Sequence, residues 1–433
     1  MNEIYAVFLF RVVLLLLCST STVLCEPIVP FPNQGPAGIF VIGDTHAVQG
    51  EVAKFDFDFI SGYTLRVPWA DLESWDSSKQ IPLYDFSRIT STLEELRSRG
   101  KRMTLEILVS YAPAYILTLP GTSTWNNPHP KYGGKQVVPW DTNALDAYHK
   151  MLQALASYSV PGTPWVVGDH PTLETVDSPI VGLQGLREMS GVLVAHPDYD
   201  RNHFIEAVVD SVSFSRMLFS NKFGFLALFS MEDQISTPRL DDAVYARLMQ
   251  EFNQSGKPSL GFFQETLSDT GPKPESLGSL LSDASSHTYI MFQALRPWAL
   301  RPDEPRPTEI ASGTPFVALN NAWKDYHATY VELYGADLLA VANAEPMRKW
   351  NRFMNGANSM GRGLVPLTLR GFSNTSISLS WPSDPLLNYQ IWTSPNLNEW
   401  ALLLLEGSTT SEVIIPYNTT APSVYFRLGL LPP

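Results

Sequence analysis

Tyr63-Thr64-Leu65-Arg66-Val67, then Asp85-Phe86-Ser87 ahead of Ile89, Leu93 and Leu96, then Gly100-Lys101, then Met103 to Val109: this stretch holds one complete strand, helix, strand unit. The two aliphatic and β-branched runs read as strands. Between them Asp85-Phe86-Ser87 supplies an opening cap, the apolar residues recur at helical spacing, and Gly100 supplies the stop. Two strands joined by such a crossover lie parallel.

The same rhythm runs outward in both directions. Further strands are predicted at Ile39 to Ile42, Ile180 to Leu186, Phe223 to Phe229, Ser259 to Gln264, Thr288 to Phe292 and Thr329 to Leu333, eight in all with the two above. Asn143 to Ala156 carries Leu145, Tyr148, Leu152 and Leu155 on one helical face, and Leu240 to Phe252 carries Val244, Leu248 and Met249. Eight such units predict an α/β protein, a (β/α)8 TIM barrel over residues 26–360, with its chemistry at the carboxyl ends of the strands. An open doubly wound sheet is the alternative, but no Gly-x-Gly-x-x-Gly follows the first strand and no phosphate-cradling Gly-x-x-x-x-Gly-Lys-Ser/Thr occurs, so no nucleotide cofactor is expected. The proline-rich run from Arg296 to Pro307 reads as a long barrel loop.

From Leu364 the texture changes. Ser376, Ser378 and Ser380 alternate with Ile377, Leu379 and Trp381, and further short apolar runs follow between turn residues. Residues 364–433 are therefore expected to form a small all-β sandwich, with Trp381, Trp392 and Trp400 filling it or, alternatively, forming an exposed aromatic strip that binds polysaccharide.

Met1 to Arg11, an unbroken apolar run from Val12 to Cys18, and a small polar stretch up to Cys25 have the layout of a signal peptide over residues 1–25, which predicts a secreted or periplasmic protein. The run falls short of the roughly 20 apolar residues a membrane span needs. Cys18 and Cys25 are the only cysteines among 433 residues, so the chain after cleavage has no disulfide and no thiolate metal site. The histidines show no ligand spacing, and no catalytic metal or other cofactor is expected. A formal net charge of −13 disfavours nucleic acid as a partner. Aromatic residues make up 12% of the chain, and flat aromatic faces are what sugar rings stack upon.

A barrel without metal or thiol chemistry most often works with carboxylates. Those at predicted strand exits are Glu188, Glu232, Asp233, Glu265, Glu332 and Asp337. Glycoside hydrolysis needs one carboxyl that holds a proton for the leaving oxygen and a second that stays ionised. A salt bridge or helix cap is the plain structural role for each. Arg66 is expected either near a ligand or in an ion pair inside the barrel. Trp69, Trp125, Trp140 and Trp298 lie on predicted strand-exit loops, as sugar platforms or as hydrophobic plugs, and Asp141 and Gln264 join the substrate-binding candidates.

Gly62 to Glu73, Tyr84-Asp85-Phe86-Ser87, Gly100-Lys101-Arg102, Ala112-Pro113-Ala114-Tyr115 and Val138-Pro139-Trp140-Asp141 together resemble the clan A glycoside hydrolases, in particular the family 42 β-galactosidases, over residues 38–190. The resemblance implies an acid/base glutamate after strand four, which maps to Glu188, and a nucleophile glutamate after strand seven. Two departures stand out: Arg187 precedes Glu188 where the clan has Asn, and strand seven ends at Gln293. Either Glu332 is the nucleophile with the strands miscounted by one, or Glu265 substitutes from strand six, or the pair is lost. The segment Tyr389 to Trp400, with Tyr425-Phe426-Arg427-Leu428, resembles a fibronectin type III-like terminal sandwich carried by exported proteins of Verrucomicrobia and Planctomycetes. The expectation is a secreted glycosidase acting on a β-linked glycan through Glu188 and either Glu332 or Glu265. The alternative is a non-catalytic carbohydrate-binding or scaffold protein on a degenerate glycosidase barrel.

Overall fold

The computed structural model describes residues 35–42, 52–128, 133–186, 191–254, 259–272, 275–301 and 303–359, and in the carboxyl-terminal part 364–365, 368–372, 376–381, 388–395, 401–406, 412–416 and 425–433. The expected signal peptide lies outside these residues. Among the described residues no helix is long and apolar enough to cross a membrane.

Eight parallel strands close into a barrel: β1 (Gly38–Ile42), β2 (Gly62–Pro68), β3 (Arg102–Leu108), β4 (Leu173–Asp177), β5 (Phe223–Ala227), β6 (Gly261–Leu267), β7 (Ile290–Ala294) and β8 (Tyr330–Leu333). Each pairs with its chain neighbours, and β8 returns to β1 with Phe40 opposite Glu332. The crossovers carry α1 (Ser87–Ser98), α2 (Thr142–Ala156), α3 (Arg201–Leu218), α4 (Leu240–Glu251), α5 (Glu275–Ala284) and α6 (Phe316–Tyr326), and α7 (Ala344–Ser359) follows β8. This is the (β/α)8 barrel the periodicity predicts.

Strand four is where the structure differs from the sequence reading. The strand is Leu173-Glu174-Thr175-Val176-Asp177, and Ile180 to Leu186 is a buried connection that turns with positive φ at Gly182 and Gly185. A side chain at Gly182 would stand 2.0 Å from the Val137 carbonyl oxygen, so the chain folds tightly there. Ile180, Val181, Leu183 and Leu186 are all buried, which made an apolar run that is not extended look like a strand. Strands six and seven run further than expected, so Glu265 stands inside β6 and Gln293 inside β7.

The helices use their apolar stripes as expected. Ile89, Leu93 and Leu96 of α1 are buried, as are Tyr148, Leu152 and Leu155 of α2. The α7 helix packs on β1, where Asn351 Oδ1 accepts from the Ile39 amide at 2.8 Å.

The carboxyl-terminal strands form two antiparallel sheets. One orders Leu364–Val365, Tyr425–Leu431, Asn388–Ser394 and Ala401–Glu406; the other orders Thr368–Phe372, Ser376–Ser380 and Glu412–Pro416. Ile377 and Leu379 are buried between partly exposed serines, as the alternation requires. Trp381 is buried and Trp392 half-buried, whereas Trp400 lies outside the described residues.

Candidate active site

Alternation along the barrel strands sends every second side chain inward. One inner layer is Phe40, Thr64, Thr104, Thr175, Phe225, Phe263, Met291 and Tyr330, all buried. Two residues further along, toward the carboxyl ends, the next layer is Arg66 on β2, Glu106 on β3, Asp177 on β4, Glu265 on β6, Gln293 on β7 and Glu332 on β8. A mostly apolar layer thus carries a charged one at the end of the barrel where TIM-barrel chemistry is found.

Arg66 is the hub. Its Nε donates to Glu106 Oε2 at 2.7 Å, its Nη2 donates to Gln293 Oε1, and the same nitrogen lies 3.9 Å from Glu265 Oε1. Arg66 is the most exposed of the six, with 15% of its side chain accessible, against residue values of 4% for Asp177 and Glu265. Burial works against its charge, but Glu106, Glu265 and Glu332 outweigh that, and the guanidinium is held even more firmly protonated than usual.

Two of the acids around it, Asp177 and Glu332, are driven toward their protonated forms. Burial pushes Asp177 well above the usual carboxyl range, and Glu106 and Glu265 act in the same direction against the weaker pull of Arg66. Burial pushes Glu332 up to about 8, with Glu106 adding to the shift. Glu332 Oε1 accepts from Thr64 Oγ1 at 2.6 Å and from the Tyr330 hydroxyl at 2.7 Å, while its Oε2 is buried without a hydrogen-bond partner. A carboxyl that keeps its proton close to other carboxyl groups is a combination that acid/base chemistry can use.

The sequence candidates separate clearly. Arg66, Glu265 and Glu332 come together in this layer, where Arg66 makes the ion pair inside the barrel that is one of its two expected roles. Glu332 stands on the eighth strand and Gln293 on the seventh, so the miscount by one that would have made Glu332 a strand-seven residue is corrected. Glu188 lies outside the described residues.

Trp69 and Trp298 are fully buried, which corrects the platform reading: their indole nitrogens donate to Glu73 Oε2 at 2.7 Å and Asp269 Oδ1 at 2.8 Å, and no ring face is open to a ligand. Trp125 is buried too and donates to the Val137 carbonyl. Asp141 is the amino-terminal cap of α2, with Oδ1 on the Ala144 amide at 2.8 Å and Oδ2 on the Ser123 amide at 2.7 Å. Gln264 is buried, bonded to the Leu228 carbonyl and to Thr266. Asp141 and Gln264 therefore spend their polar groups on the scaffold. Trp140 is half-exposed and packs edge-on against Tyr199 and His196.

Glu106 and Asp177 went unrecognised in the sequence. The signal was present as polar residues two apart within short strands: Thr64 and Arg66, Thr104 and Glu106, Thr175 and Asp177, Tyr330 and Glu332. Among the described residues no group of three or more His, Cys, Asp or Glu side chains is arranged to hold a metal ion.

No family model matches the chain. No curated protein sequence matches it either. Solved structures similar to it include several glycosidases. An endo-β-1,4-mannanase from Thermotoga petrophila matches with TM-score 0.47 and 10% identity over 91% of this chain and 95% of its own. An endo-1,4-β-mannanase from Rhizomucor miehei matches with TM-score 0.46 and 12% identity over 69% of this chain and 85% of its own. A GH10 endoxylanase from a sugarcane soil metagenome matches with TM-score 0.40 and 12% identity over 70% and 85%.

Proposed function

We propose that this protein is an exported glycoside hydrolase that cleaves a β-linked glycan with a pair of carboxyl groups from the Arg66 layer. Asp177, at the end of β4, is the proton donor: its carboxyl gives its proton to the glycosidic oxygen as the bond from that oxygen to the anomeric carbon breaks. Glu265 is the second carboxylate, either attacking the anomeric carbon or taking a proton from the water that does so. Arg66 holds the surrounding carboxylates in register and keeps the layer's charge compensated. The observation that carries this reading is that acidic side chains from β3, β4, β6 and β8 converge around one guanidinium, with Asp177 biased toward its protonated form. Glu188 remains the rival donor on the strength of the family resemblance, and the signal-peptide-like layout of residues 1–25 in the sequence supports export.

A second reading, a carbohydrate-binding protein on a degenerate barrel, is favoured by one feature. Gln293 stands on β7, where the resemblance implies a nucleophile glutamate, and it is bonded to Arg66. The test is release of reducing ends from neutral β-linked polysaccharides by the mature chain. Release supports the hydrolase; retention of the polysaccharide with no release at any pH moves the protein to the second reading.

A further inference from the structure

Outside the Arg66 layer, the loops after β2 and β3 bring a pair of aromatic rings together. Trp75 lies on the strand Glu73–Asp76, which pairs antiparallel with Ile81–Tyr84 between β2 and α1. Tyr115 follows β3, just ahead of the short 3-10 turn Ile116–Thr118. Their rings stack with centroids 4.7 Å apart and planes inclined by 24°. Both side chains are half-exposed, unlike Trp69, Trp125 and Trp298, which are buried.

The stack is anchored from below. The Tyr115 hydroxyl donates to Glu73, and the other oxygen of that carboxylate accepts from the Trp69 indole nitrogen at 2.7 Å. Glu73 is only 3% exposed, so Tyr115 is tethered at its polar end to a buried carboxylate that is itself tied to a buried indole. An aromatic pair with its rotamers fixed in advance loses little conformational entropy when a ligand docks, and the apolar C–H face of a pyranose is the group that fits a flat indole. The net charge of −13 repels acidic glycans.

We infer that Trp75 and Tyr115 form a carbohydrate subsite on the rim of the barrel, separate from the carboxylate layer, which takes a sugar unit of a neutral β-linked polysaccharide. This rests on the carbohydrate-directed reading above but not on hydrolysis. Trp75 supplies the platform, Tyr115 backs it, and Glu73 is a positioning residue.

The test is affinity electrophoresis of the mature chain in gels containing konjac glucomannan, hydroxyethylcellulose or, as the acidic control, polygalacturonate, run beside turnover of a small aryl β-glycoside. The wild type is expected to be retarded by a neutral polymer and not by polygalacturonate. Trp75→Ala should weaken that retardation about tenfold, Trp75→Phe should keep most of it, and Tyr115→Phe, which keeps the stack but frees the ring from Glu73, should fall between them. The thermal midpoint should be unchanged in Trp75→Phe. Equal retardation of wild type and Trp75→Ala, or retardation of neither, overturns the subsite. A chain that binds through Trp75 yet hydrolyses nothing keeps the subsite and removes the hydrolase reading; a chain that hydrolyses the aryl glycoside while Trp75→Ala binds polymer like wild type does the reverse.

Discussion

Arg66 and Glu106 occupy paired positions on adjacent barrel strands, and the arginine Nε donates to the glutamate Oε2 at 2.7 Å with the carboxylate almost wholly buried. A buried pair of this kind contributes little over an apolar equivalent, but removing one partner strands the other. Arg66→Met is expected to destabilise the fold by roughly 3 to 5 kcal/mol in urea unfolding, and Arg66→Met with Glu106→Leu to recover a large part of that. A single variant as stable as wild type would show that the pair is not the hub of the layer.

Glu332 gives the layer a pH signature. Its carboxyl ordinarily titrates near 4.5 and is raised to about 8 by burial and by Glu106. The folded state then binds more protons than the unfolded one between those values. The stability it contributes is complete below about pH 4.5 and is lost as pH rises through about 8. Glu332→Gln, which retains an acceptor for Thr64 and Tyr330, is expected to flatten this decline, so that the difference in denaturation midpoint shifts in the variant's favour between acid and alkaline pH. A wild type and variant with parallel pH profiles would contradict the assignment.

A second buried acid lies outside the layer. Asp337 follows β8, accepts from the Ala299 amide at 2.7 Å, and is pushed up to about 6 from 3.8, chiefly by burial. The sign is the same: its contribution is complete below about pH 4 and is lost as pH rises through about 6. Unfolding free energies of Asp337→Asn and wild type, from urea titrations, should diverge in the variant's favour between acid and neutral pH, by roughly 3 kcal/mol.

Much of the barrel is legible in the sequence because strand and helix periods differ, and the unit from Tyr63 to Val109 shows both with its cap and glycine stop. Strand four was missed because polar Glu174, Thr175 and Asp177 dilute it, while the apolar turn from Ile180 to Leu186 imitates it. The same error hid Asp177. Of the site, Arg66, Glu265 and Glu332 could be named from strand exits, but not which of them share a layer, since that depends on the stagger of strands around the barrel rather than on order along the chain. The tryptophans show the converse limit: exposure depends on what packs above a residue, and for Trp69 and Trp298 that is a complete cover.

Trp298 tests the plug role. Its ring is fully buried and its nitrogen holds Asp269, whose other oxygen accepts from the Ser312 amide at 2.6 Å. Trp298→Ala is expected to cost roughly 3 to 5 kcal/mol in chemical denaturation, with polysaccharide affinity of the folded fraction unchanged. A loss of affinity without loss of stability would return Trp298 to the ligand.

The most direct measurement is kcat/KM on a β-linked oligosaccharide cleaved by the wild type, whose sugar leaving group needs a proton, compared across Asp177→Asn, Glu265→Gln and Glu188→Gln with thermal midpoints taken in parallel. Removing a group that donates or accepts the transferred proton costs about 10²-fold or more, so Asp177→Asn and Glu265→Gln should each fall at least that far while remaining folded, with Glu188→Gln close to wild type. Undiminished turnover in Asp177→Asn and Glu265→Gln, or a collapse confined to Glu188→Gln, would contradict a reaction centred on the Arg66 layer.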